Sequence, residues 1–147
     1  MDTDRAMGLF REGLSALSNN EPLKALSLFE RAYNIKDIPI IKSYLAFSIA
    51  RERGQVSLAI SLCEEAIREE GGNPVHYLNL GRVYLVRGDR ERAVQAFRAG
   101  LKRQRHPEII AELERMGIRR LLVIPFLKRQ NPLNKYLGLI LTRLKNI

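Results

Sequence analysis

The sequence predicts an all-α chain: an α-solenoid of three helix–turn–helix units, then a capping helix and a C-terminal amphipathic helix. Three observations carry this. Several columns recur every 34 residues, among them Ala25, Ala59 and Ala93; Phe29, Cys63 and Phe97; and the turn residues Asn20, Gly54 and Gly88. Independent columns that share one period mark a repeat whose units bury their apolar faces on one another. Within a unit the period is helical: Tyr77, Leu78, Gly81, Tyr84 and Leu85 recur at three and four, break at Gly88-Asp89, and resume with Ala93, Val94, Ala96, Phe97 and Leu101. Helix starts are also written out, as in Asn73-Pro74, an amide cap followed by proline at the first helical position.

Each unit is a pair of helices of roughly 12–15 residues joined by a short turn. Pro22 opens the second helix of the first unit, and Asp37 and Asp89 are expected caps. Antiparallel helices need small side chains where their axes come closest. Gly13 and Gly81 in the first helices, with Ala25, Ala59 and Ala93 in the second, provide that clearance. The bulkier Phe29, Phe97, Tyr33 and Leu101 are expected to fill the space between units. The column Ala32, Ala66 and Gly100 repeats with the same spacing.

A stacked array leaves an apolar face at its end, which a terminal helix must cover. Pro107 to Met116, stopped by Gly117, suits that task, with Ile109, Ile110, Leu113 and Met116 as its apolar stripe and Glu112, Glu114 and Arg115 outward. Residues 1–117 therefore read as the repeat domain and 118–147 as a separate tail. In the tail, Arg119-Arg120 and Lys128-Arg129 bracket the apolar run 121–127, where Pro125 favours an extended stretch. Asn131-Pro132 then opens a final helix with Leu133, Tyr136, Leu137, Ile140, Leu141 and Leu144 along one face.

Composition excludes several classes of function. One cysteine and two histidines in 147 residues permit neither an internal disulfide nor a thiolate metal cluster. Apolar residues at 46% and charged residues at 28% are ordinary globular usage. The net charge of +9 is uneven: residues 1–100 carry 14 Lys and Arg against 13 Asp and Glu, whereas 101–147 carry 11 against 3. A basic C-terminal third suits nucleic acid, anionic lipid or an acidic protein surface, and equally a solvated face that keeps an apolar tail soluble. The acidic start Met1-Asp2-Thr3-Asp4 is not a secretory leader, and the longest apolar run has seven residues where a membrane span needs roughly twenty. A cytoplasmic protein is expected. Glu64-Glu65 and Glu69-Glu70 read as a solvated helix end, His76 and His106 as surface or partly buried residues, and Cys63 as a packed thiol. No phosphate loop, nucleophile elbow or dinucleotide fingerprint appears, so no enzyme, cofactor or metal is expected.

A 34-residue helix–turn–helix unit with Tyr77, Leu80-Gly81, Tyr84, Gly88, Ala93, Phe97 and Pro107 resembles the tetratricopeptide repeat. The likeness covers about residues 4–107. The first unit keeps Gly13, Ala25, Phe29 and Ala32. The second diverges, with Phe47 at the glycine position, and a register shifted by one residue would give Ala46 the close-contact role instead. The tail segments Val123–Leu127 and Asn131–Gly138 resemble those of small bacterial proteins of this kind.

The resemblance implies a non-catalytic adaptor or scaffold whose first helices line a groove for a peptide or a partner helix. Carried over by register, the groove residues are Phe10, Leu14 and Leu17; Tyr44, Ser48, Arg51 and Glu52; and Leu78, Asn79, Arg82 and Val86. Asn79 can bond a peptide backbone, and the Arg82 guanidinium a carboxylate. Members of the family that clamp a C-terminal carboxylate place lysine and asparagine where this chain has Phe10 and Leu14, so that clamp is not expected. The implied ligand is an apolar segment with some acidic residues. A homodimer through the tail is a second expectation. The rival reading is a membrane- or nucleic-acid-associated factor acting through the tail, with Arg119, Arg120, Lys128 and Arg129 as its contacts.

Overall fold

A computed structural model describes residues 1–118, which contain seven α-helices and no strand. They are α1 (Asp2–Ser18), α2 (Pro22–Ile35), α3 (Pro39–Arg53), α4 (Val56–Glu69), α5 (Pro74–Arg87), α6 (Arg90–Arg103) and α7 (Pro107–Arg115). Two compact units are distinguished, Met1–His106 and Pro107–Ile147, so α7 groups with the C-terminal unit. The final helix expected in the tail lies outside the described residues.

In the first unit α1 packs on α2, α3 on α4 and α5 on α6, and each following hairpin is joined on through α2 to α3 and α4 to α5. The local chemistry of the ends is largely as the sequence dictates. Gly54 and Gly88 close α3 and α5 in the left-handed region, at φ 68° and 83°, and Asn20 takes the equivalent place after α1 at φ 59°. A side chain pays for positive φ and glycine does not; asparagine tolerates it best of the rest. Asn73 caps α5 by accepting from Val75 N at 3.0 Å, and Asp89 caps α6 by accepting from Arg92 N at 3.0 Å. Asp37 does not cap α3. Ile38 holds the cap position without a side-chain bond, and the Asp37 carboxylate turns to Lys42.

The core is built on glycine–phenylalanine contacts. A Cβ at Gly13 would lie 2.4 Å from Phe29 Cε1, and one at Gly81 would lie 2.2 Å from Phe97 Cε1. Each glycine thus admits the ring of its own hairpin partner. In the second hairpin the buried Ala46 shares a cluster with the smaller Cys63, Ala50, Ala59 and Val83. The same space is divided as alanine and cysteine instead of glycine and phenylalanine. Phe29 serves twice: its ring also meets Phe10 at 5.6 Å and Tyr44 at 5.8 Å between centroids, and Phe10 meets Tyr44 at 5.4 Å. This aromatic triangle ties α1, α2 and α3 together.

In the second unit α7 ends in a glycine stop, with Gly117 at φ 79° and Ile118 N donating to Leu113 O at 3.0 Å. Ile109 and Leu113 are fully buried, and Ile110 and Met116 are half-buried. Glu112 is half-buried as well, bonded to Arg115, and does not face outward as its place in the sequence suggested.

Candidate functional site

The first helices of the three hairpins lie side by side: α5 packs on α3, and the Phe10–Tyr44 contact brings α1 to α3. Their register decides which side chains share the face they form. Pro39 opens α3 and Pro74 opens α5, and Ala46 and Gly81 each follow seven residues later. From there Gly54 is eight residues on, but Gly88 only seven, and α3 has 15 residues to the 14 of α5. The extra residue of the second repeat therefore sits in the later half of α3, and Ala46 holds the close-contact place. Phe47 then aligns with Leu14 and Arg82.

This register explains where the groove residues named above come to lie. Phe10 and Tyr44 are buried in the aromatic triangle, and Leu78 is fully buried. Ser48 and Asn79 are fully buried too, and the Ser48 hydroxyl and the Asn79 carbonyl oxygen have no hydrogen-bond partner among the described residues. Leu14, Leu17, Glu52 and Arg82 are half-buried, whereas Arg51 and Val86 are exposed. The face open to solvent is thus narrower than the sequence suggested. Ser48 and Tyr44 are corrected inward, because the alignment that placed them assumed Phe47 in the glycine column.

Phe47 is the residue that alignment missed. It is half-buried, with the Arg51 guanidinium carbon 4.8 Å and that of Arg82 5.3 Å from its ring centroid. Arg51 lies one turn further along α3, while Arg82 arrives from α5, so the ring gathers cations from two successive hairpins. Arg51 Nε also donates to Glu52 Oε2 at 2.7 Å. The equal Pro39–Ala46 and Pro74–Gly81 spacings were the signal that could have placed Phe47 here.

Beneath this face, α3 and α5 are joined by a polar chain. His76 is fully buried, contrary to the expected surface or partly buried role. Its Nε2 lies 2.8 Å from Glu70 Oε1 and its Nδ1 lies 2.9 Å from Ser43 Oγ. A carboxylate only accepts, so Nε2 carries the proton and the neutral ring accepts from the Ser43 hydroxyl through Nδ1. Ser43 Oγ in turn accepts from Asn79 Nδ2 at 3.2 Å, and Asn73 Nδ2 donates to Glu70 at 2.9 Å. Burial holds His76 below its ordinary 6.5, against the opposing pull of Glu70. The Asn73 bond, opposed by burial and aided by His76, holds Glu70 below the usual carboxylate range.

The signs of these shifts predict a pH response. With its folded pKa depressed, His76 contributes fully above 6.5, and this contribution is lost as pH falls towards the depressed value. The contribution of Glu70 persists to lower pH and is lost below the ordinary carboxylate range. Urea midpoints should therefore fall between about pH 7.5 and pH 5.5 in the parent chain, and stay nearly level over that window in His76→Gln. An equal fall in both would show that another group is titrating.

A second polar cluster fills the slot in α3 that corresponds to Tyr77 in α5. Lys42 has a side chain only 2% exposed, with Nζ at 2.5 Å from Glu69, 3.1 Å from Asp37 and 3.6 Å from Glu65. Burial pulls its pKa down, but hydrogen bonds to Glu69 and Asp37 outweigh burial and hold it well above the ordinary lysine range. Glu65, Glu69 and Glu70 are therefore partners of buried groups on α3 and α5, more than a solvated helix end. Cys63 is buried, and burial raises its thiol pKa, as suits a packed and inert residue. Among the described residues no His, Cys, Asp and Glu group is arranged to hold a metal ion, and no helix is long and apolar enough to cross a membrane. Arg119, Arg120, Lys128 and Arg129, with the tail-mediated dimer, lie outside the described residues.

Comparison with known proteins agrees with this architecture. Residues 50–114 match the model of the tetratricopeptide repeat. No curated protein matches the chain. Among solved structures, the chain is similar to the first tetratricopeptide domain of Spaghetti (RPAP3) bound to the HSP90 peptide SRMEEVD. That likeness has a TM-score of 0.62 at 17% identity, over 80% of this chain and 96% of that one. It is similar to the Sgt2 tetratricopeptide domain from Aspergillus fumigatus at TM-score 0.62 and 22% identity, over 87% and 85% of the two chains. It is also similar to the N-terminal domain of stress-induced protein-1 from C. elegans at TM-score 0.52 and 20% identity, over 80% and 98%. At these identities the likeness is one of fold.

Proposed function

We propose that this chain, whose residues 50–114 match the tetratricopeptide repeat, is an interaction adaptor that holds a peptide or a partner helix on the face formed by α1, α3 and α5. The observation that carries this reading is the composition of that face. Half-buried Leu14, Leu17 and Phe47 and exposed Val86 offer apolar contact, and Arg51 and Arg82 supply charge. Apolar surface provides the affinity, while a few placed charges select the partner. A relative of the same fold bound to an acidic peptide supports the same use. The terminal-carboxylate clamp of some family members is not proposed here, since Phe10 belongs to the aromatic triangle and Leu14 is aliphatic.

Photo-crosslinking tests the face directly. A benzoyl-phenylalanine placed at Leu14 or Val86 should capture a partner in host cells, and one placed at the exposed Ser27 or Ser61 on α2 and α4 should not. Arg82→Glu should cut capture at Val86 by about tenfold, the equivalent of one charge-assisted contact. Equal capture from both sides would count against the proposal.

The second reading rests on the seven Lys and Arg, with no Asp or Glu, in residues 119–147. In that reading the chain binds an anionic membrane or a nucleic acid through the tail. Salt-sensitive binding to anionic vesicles or oligonucleotides that disappears in a 1–117 truncation would favour it.

A further inference from the structure

We infer that the third hairpin holds a base of a single-stranded nucleic acid in a cavity between α5 and α6, with the phosphates of the strand on exposed cations of α6. The site is separate from the α1–α3–α5 face. Tyr77, Leu80 and Tyr84 follow one stripe of α5, and Arg82 and Val86 lie about half a turn away from it. The cavity measures about 270 Å³ and is lined by Leu80, Tyr84, Arg92, Gln95 and Ala96. That is just under the range of about 300–1,000 Å³ for drug-sized ligands, so it suits one flat ring and not a large cofactor. Tyr77 also lines it and is 8% exposed, with the Arg103 guanidinium carbon 5.7 Å from its ring centroid.

The origin of the cavity is visible in the repeat. Ala96 precedes Phe97, where Leu28 precedes Phe29 and Leu62 precedes Cys63. Leu28 is buried and Leu62 half-buried in the cores of their hairpins, so alanine at this place leaves space that leucine otherwise occupies. Tyr84 stands three residues after Gly81, where Ala16 follows Gly13 and Ile49 follows Ala46. Arg98 follows Phe97, where Glu30 and Glu64 follow Phe29 and Cys63. A space, a ring beside it and a reversed charge thus belong to the third hairpin alone. Gln95, Arg98 and Lys102 are exposed at i, i+3 and i+7, so an amide at the cavity leads on to two cations along one side of α6. An aromatic face stacks on any base, an amide bonds a base edge, and guanidinium and ammonium groups hold phosphates. An acidic aliphatic peptide matches the cations but brings no flat ring to the tyrosines. A single strand supplies both.

Fluorescence anisotropy with the full chain tests the site. Three labelled probes are compared: a twelve-residue oligothymidylate, an abasic strand of the same length and charge, and a twelve-residue Leu/Ala/Glu peptide. Oligothymidylate should bind about tenfold more tightly than the abasic strand, near the low end for one stacked base. Ala96→Leu should abolish that advantage and leave the urea midpoint unchanged, since leucine is already housed at this place in the other two hairpins. Tyr84→Ile installs the residue of the second hairpin and should have the same effect, which decides the matter if Ala96→Leu does not fold. Arg98→Gln/Lys102→Gln should weaken both strands alike and reduce the slope of log affinity against log salt by about 1.4, or about 0.7 per phosphate contact. Replacing Arg119, Arg120, Lys128 and Arg129 by Gln in the full chain should leave the base advantage intact. Equal binding of the two strands, binding of neither, or an advantage that survives in a folded cavity variant overturns the inference. So does unchanged binding in the Arg98/Lys102 variant, an advantage lost with the four tail cations, or a peptide that binds more tightly than oligothymidylate.

Discussion

Phe97→Ala is expected to lower the unfolding free energy by about 3–5 kcal/mol, the cost of emptying a fully buried aromatic site. Gly81→Ala should cost about 1–3 kcal/mol in the opposite way, by overfilling the same site. Its Cβ would lie 2.2 Å from Phe97 Cε1 and 2.5 Å from Cδ1, so the ring must leave its place. The two effects share one volume and cannot add. Once the ring is gone, the alanine methyl at 81 fills part of the cavity. Gly81→Ala should then be neutral or stabilising in the Phe97→Ala background. Urea denaturation of the four proteins in this cycle measures the coupling directly. Strictly additive losses would mean that Gly81 and Phe97 do not share this space.

Lys42→Met should cost about 3 kcal/mol near neutral pH, at the low end for breaking a buried ion pair because its carboxylate partners reach solvent. Methionine keeps most of the aliphatic stem, so the loss is one of charge more than of packing. Asp37, Glu65 and Glu69 would then stand around an uncompensated slot and repel one another. In the parent, the raised pKa of Lys42 means that its contribution is fully present below the ordinary lysine value and is lost only as pH rises through the higher folded one. The parent should therefore be insensitive to Lys42 titration across neutral pH. The difference between parent and variant should shrink as salt is added, because salt screens the repulsion among the carboxylates of the variant. A difference that stays constant with salt would assign the cost to packing alone.

The repeat was legible in the sequence because its markers are local and few. Close contact demands glycine at 13 and 81, positive φ favours glycine at 54 and 88, and each recurs with the period of the fold. The phase of α3 was harder to read. Residues 41–46 are all buried, among them Lys42 and Ser43, so the usual contrast between apolar and polar faces is erased there. That uncertainty displaced the site: it directed attention to Tyr44 and Ser48 and away from Phe47. His76 was misread for a related reason. Its partner Ser43 lies 33 residues away, on the preceding hairpin, where no short-range pattern reveals it. Arg51 lies in the last turn of α3 and is exposed, whereas Arg82 lies in the middle of α5 and is half-buried. The placement of Asn79 on the inner helix was readable, but not its burial.

The additional residue in α3 makes the hairpins unequal as building parts. One residue turns a helix through about 100° and lengthens it by about 1.5 Å. The opening half of α3 therefore keeps step with α5, and its closing half runs out of phase. A chimaera carrying the α5 sequence in place of α3 would arrive at Gly54 one position short and rotated, and would lose both Arg51 and the Phe47 ring beside it. The second hairpin is thus the individual one of the three.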